Sequence, residues 1–120
     1  MGFDYETACK VSCGFGGGMY LGSVCGAVTG GIMAIGVKHG GVGLEPSMRT
    51  GRLAREFVER FKARHRSINC PDLIGIDLGV LDLLDHPEVI KEAMEKGVFA
   101  DCLGLVKDAA GIVNEMLNEG

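Results

Sequence analysis

The stretch GSVCGAVTGG, Gly22 to Gly31, places four glycines in ten residues around a single cysteine, Cys25. It lies within a longer window, Val11 to Val37, of 27 residues without a charge, nine of them glycine. Three structures accept such a composition: a membrane span, a phosphate-binding loop, or a helix packed too closely for side chains. The part that reads as continuous helix, Ser23 to Val37, extends about 22 Å at 1.5 Å per residue. A hydrocarbon core is about 30 Å thick, so no membrane span is expected, despite the GxxxG series Gly22, Gly26, Gly30. The phosphate reading is weak in its own motif: GFGGGM has Met19 where GxGxxG needs its last glycine, and no Walker lysine follows. Close packing remains. Gly22, Gly26, Gly30 and Ala34 are spaced by four and form a ridge nearly without side chains. Each interior glycine costs about 1 kcal/mol relative to alanine, a cost tolerated where another backbone must come close. The ridge therefore predicts a central helix, capped by Ser23 and stopped by His39-Gly40-Gly41.

Read outward from this helix, the chain predicts one all-α domain over residues 1–120, a compact bundle of about five helices. Asp4 caps a short first helix that Gly14 ends, with Tyr5, Ala8, Cys9 and Cys13 on one face. A helix following Pro46 runs to about Arg66 and carries Leu53, Phe57, Val58 and Phe61 at helical spacing. Pro71 opens a short helix just after Cys70, with Gly75 beyond its end, and Pro87 opens another that stops at Gly97. The last helix spans about Phe99 to Asn118, with Cys102, Leu105/Val106, Ala109, Ile112/Val113 and Met116 in one stripe. Residues 76–84 are apolar and carry no assignment.

The net charge of −4 selects no partner. Seven of the twelve basic residues fall between Arg49 and Arg66, but they alternate with Glu56 and Glu59 at helical pairing distances. That pattern is a solvated helix face, and with an acidic chain overall no nucleic-acid partner is expected. The N-terminal MGFDYETACK lacks the order of a secretory signal. A reducing cytoplasm is therefore expected, and there five cysteines call for packing, metal binding or thiol chemistry rather than disulfides.

Cys25, Cys70 and Cys102 all fall at predicted helix starts, where unpaired N–H groups and the helix dipole favour a thiolate. Cys9, on an apolar helix face, reads as core filler, and Cys13 borders the glycine loop. No CxxC exists, which argues against a zinc ribbon or a thioredoxin-type motif, and no CxxCH exists, which excludes covalent c-type haem. His39 has a sufficient structural role at a helix C-terminus, while His65 and His86 read as surface residues.

Three stretches carry a family resemblance: SCGFGGGMYLGSVCGAVTGGIMAIGVKHG from Ser12, NCPDLIGIDL from Asn69, and CLGLVKDAAGIVNEML from Cys102. Together they resemble the redox-active C_GCAxxG_C_C proteins, small helical proteins named for four cysteines. That family is similar to the non-haem iron–sulfur domain of split-Soret cytochrome. The resemblance implies cofactor binding by Cys25, Cys70 and Cys102, with these three as metal ligands. The family usually bears its first cysteine on an extra N-terminal helix, and this sequence is expected to start after it, as a short member or a fragment, or else Cys13 or Cys9 is expected to take over that role. The cautious expectation is three thiolates completed by water, His39 or Cys13. The implied function is electron transfer or redox sensing through an iron–sulfur cluster or a redox dithiol, as a component of oxidoreductase chemistry, with a redox partner protein and a homodimer. The alternative from another class is a structural zinc-binding or metal-free helical interaction module.

Overall fold

The computed structural model describes residues 4–15, 18–19, 23–74, 87–95, 97 and 100–118. The expectations for Gly22, Gly75, residues 76–84, His86 and Phe99 lie outside them. The described residues form helices in the order α1 (Tyr5–Ser12), a single 3-10 turn (Cys13–Phe15), α2 (Gly26–His39), α3 (Leu44–His65), α4 (Cys70–Ile74), α5 (Pro87–Glu95) and α6 (Ala100–Asn118). The all-helical class stands. The bundle of about five is corrected: among the described residues the core forms where α2, α3 and α6 pack against one another.

The predicted stripes are the ones buried. On α3, Phe57 and Phe61 are fully inaccessible, and on α6 Leu105, Ala109, Ile112, Val113 and Met116 are buried. Val106, on the margin of its stripe, stays half exposed. α2 contributes Ala27, Val28, Gly31 and Ile35. Asp4 caps α1 as expected, its Oδ1 accepting from the Thr7 amide at 2.6 Å. Hydrogen bonding from Thr7 holds the Asp4 carboxyl below its usual range. The basic face of α3 is solvated, and Arg60 pairs with Glu56 at 3.0 Å.

Four expectations need correction. The cap of α2 is Cys25, not Ser23, because the backbone from Ser23 to Cys25 is held extended by a bridge to residues 68–70. α3 begins at Leu44, ahead of Pro46, since an amide in a helix's first turn has no intrahelical partner and a proline there loses nothing. His65 is no plain surface residue: its ring stacks on Phe61 with centroids 4.6 Å apart, and its Nε2 lies 2.9 Å from Asp108 on α6. Cys9 is exposed rather than filling the core, because α1 presents Ala8, Val11 and Ser12 to α2.

The glycine ridge is also displaced. A Cβ at Gly30 would meet nothing within 4 Å, whereas one at Gly31 would lie 2.8 Å from Cε1 of Phe57 and closer still to Cζ. The close approach is therefore ring against backbone at Gly31. Gly26, Gly30 and Ala34 instead border an apolar cavity of about 400 Å³ shared with α6. Phe57 is buried on all sides and has no free direction in which to yield.

Gly31→Ala should destabilise the protein by about 1–3 kcal/mol through overpacking. Gly30→Ala should stabilise it by up to about 1 kcal/mol through helix propensity alone. Urea unfolding of the two variants checks the contrast, and equal effects would show that the ring does not rest on Gly31.

Candidate thiol site

The site is built by two backbone segments that lie far apart in sequence. α3 ends at Arg66, which takes a left-handed conformation (φ 69°), and this reverses the chain. Residues 67–70 then run alongside residues 23–25 as an isolated antiparallel bridge centred on Val24 and Asn69. The Cys25 amide donates to the Ile68 carbonyl at 2.7 Å, and the Cys70 amide donates to the Ser23 carbonyl at 2.7 Å. Each cysteine is thus fixed through its own amide. Helix α2 begins one residue after Cys25 and α4 begins at Cys70, so both chains leave the bridge as helices.

The turn leading to Cys70 is braced by its own side chains. Ser67 Oγ donates to Asp72 at 2.8 Å and accepts from the Asn69 amide at 3.0 Å. On the other strand, Gly18 holds φ +67° and its carbonyl accepts from the Ser23 amide at 3.0 Å. A Cβ on Gly18 would come within 2.7 Å of the Ser23 carbonyl oxygen, so glycine is required there. Sequence reading missed Ser67, Asp72, Ile68 and the bridge itself. The one local signal was the Asn69-Cys70-Pro71-Asp72 helix start.

The register decides what the two thiols can do. Cys25 is directly opposite Ile68, and Cys70 is two residues further on, so the cysteines form a diagonal pair on one face of the bridge. Such pairs stand about 7–8 Å apart. A disulfide needs Cα atoms within about 7 Å, so a diagonal pair stands near the edge of that reach.

Cys25 and Cys70 are 7% and 6% exposed, Cys102 is half-buried on the first turn of α6, and none of the five cysteines is in a disulfide. Burial pushes the Cys70 thiol up, and the Cys25 and Cys102 thiols push it further in the same direction. The helix-start argument expects the opposite sign at Cys70. Burial is the largest influence there and sets the direction. Cys25 and Cys102 each lie near enough to Cys70 to act on its ionisation. Among the described residues, however, no three His, Cys, Asp or Glu side chains close up into a metal-sized shell.

The other candidates lie elsewhere. His39 is the last residue of α2 and Cys25 precedes its first, which separates them by about 20 Å along the helix. His39 therefore does not complete the set. Cys13 is exposed on the 3-10 turn after α1, and the thiols acting on Cys70 are Cys25 and Cys102.

A family model described as "Putative redox-active protein (C_GCAxxG_C_C)" matches residues 1–116. The chain belongs to the C_GCAxxG_C_C family. The family label writes the order Gly-Cys-Ala, where this chain has Cys25-Gly26-Ala27. Neither a curated protein nor a solved structure matches the chain significantly. Among the described residues no helix is long and apolar enough to cross a membrane.

A raised Cys70 pKa means that the native, metal-free protein keeps this proton after the unfolded chain has lost its own. Stability contributed there is full below the unfolded thiol pKa of about 8.5 and falls as pH rises from that value to the folded pKa. Urea midpoints measured between pH 7.5 and 10 should decline, and Cys70→Ala should flatten the decline.

Proposed function

We propose that this family member is a redox protein in which Cys25, Cys70 and Cys102 hold an iron–sulfur cluster for electron transfer or redox sensing. One observation carries the reading: the Val24–Asn69 bridge, whose register sets Cys25 and Cys70 as a diagonal pair, with Cys102 near enough to Cys70 to act on its ionisation. The donor set fits, since thiolates are the ligands of such clusters. Ionising Cys70 is disfavoured by burial and by the Cys25 and Cys102 sulfurs, and a cation placed beside it would offset that cost. When bound, the cluster would supply one-electron exchange at a protein-tuned potential.

The chain's own residues account for the rest. The two 2.7 Å amide bonds fix the backbone at Cys25 and Cys70, and the Ser67–Asp72 contact braces the turn between α3 and α4. Val28 and Ile35 pack α2 onto α3 and α6 and keep the helix start in place. A redox partner protein completes the reading.

A redox dithiol formed by Cys25 and Cys70 is the second reading, and the same bridge supports it by bringing the two buried cysteines to one place. Structural zinc is the third, and a colourless protein holding zinc would support it.

The test is the ultraviolet–visible spectrum of protein purified without oxygen and supplied with iron and sulfide, before and after dithionite. Broad sulfur-to-iron bands that bleach on reduction are expected, and Cys25→Ser, Cys70→Ser and Cys102→Ser should each remove most of the absorbance. Cys9→Ser should leave it unchanged. A featureless spectrum from iron-replete protein would overturn the cluster reading.

A further inference from the structure

We infer that Cys9 and Cys13 form a second thiol site, a two-sulfur clip for a soft metal ion that stabilises α1. Both thiols are exposed, although cysteine is among the most buried residue types. They are one helical turn apart, and Cys13 keeps helical dihedrals (φ −57°, ψ −34°), so the pair holds true i,i+4 geometry. At that spacing the Cβ atoms are about 5–6 Å apart, whereas a disulfide needs about 3.5–4.5 Å. The two thiols are therefore close enough to share an ion, with metal–sulfur bonds of about 2.3 Å, and too far apart to oxidise to each other within an intact helix.

Binding is simple exchange. Each sulfur loses its proton to solvent as it bonds the ion, two protons leave, and no electron moves. With two protein ligands, the remaining coordination positions stay open to water or to an incoming donor, which suits a soft cation that tolerates low coordination numbers. Thiolate donors select for cations of this kind.

The structure also shows why a clip here has an effect. α1 is eight residues long and has no buried residue, and isolated helices shorter than about 12–15 residues are marginal. It is held by the Asp4 cap, an exposed Lys10–Glu6 pair at 3.1 Å, and its seat on α2. That seat is loose: Ala8, Val11 and Ser12 face Gly30, Met33, Ala34 and Val37 across a cavity of about 290 Å³. Tying Cys9 to Cys13 fixes the last turn of the helix and with it the helix that covers this side of α2.

The test uses Cd(II) as the probe, on the full reduced chain without oxygen. Cd(II) should protect Cys9 and Cys13 together from iodoacetamide, and should slow amide exchange in residues 8–13. In Cys13→Ser, an exposed substitution, the Cd(II) concentration that protects Cys9 should rise at least tenfold, and the slowing of exchange should vanish. Cys25→Ser should leave both responses intact, because this site is independent of the proposed cluster. Cys9 protection that is indifferent to Cys13→Ser would overturn the clip. So would unchanged exchange in α1, or loss of the response in Cys25→Ser.

Discussion

The antiparallel bridge between Val24 and Asn69 is the constraint on which the rest depends. It consists of two amide–carbonyl bonds, Cys25 to Ile68 and Cys70 to Ser23, each 2.7 Å long. Buried amides need partners, and these two find theirs across the bridge rather than within a helix. The start of α2, the direction of α4 and the proximity of two buried cysteines all follow from it. The left-handed Arg66 and the positive-φ Gly18 are the local conformations that let the two segments meet.

Packing and chemistry make separate demands on α2. One side of the helix is occupied by the Phe57 ring seated on Gly31, which locks α2 to α3. The side carrying Gly26, Gly30 and Ala34 is left open between α1 and α6. The glycines of this helix thus serve different ends: Gly31 is required by a close contact, and Gly30 and Gly36 are not.

The helix-start pattern in the sequence and the electrostatics at Cys70 involve the same three cysteines. Sequence selected Cys25, Cys70 and Cys102 as residues at helix starts, and the structure makes Cys25 and Cys102 the thiols that act on Cys70. The reasons differ, however. At Cys70 burial outweighs the helix terminus, so the thiol is harder to ionise than its position suggests. The sequence argument weighed a local field, and desolvation is a property of the folded interior.

What the sequence determined by itself is whatever depends on near neighbours in the chain. The Asp4 cap, the body of α3 with its buried Phe57 and Phe61, and the α6 stripe were all legible, because caps and 3.6-residue periodicity act over three or four residues. Tertiary structure alone decided that Gly31 rather than Gly30 meets an aromatic ring, that Cys9 faces solvent, and that His65 reaches Asp108. It also decided that Cys25 and Cys70 stand diagonally across a bridge. The physical reason is register: a shift of one residue in strand pairing, or a rotation of about 100° in a helix, changes which atoms meet. Neither is encoded in the local pattern of either segment.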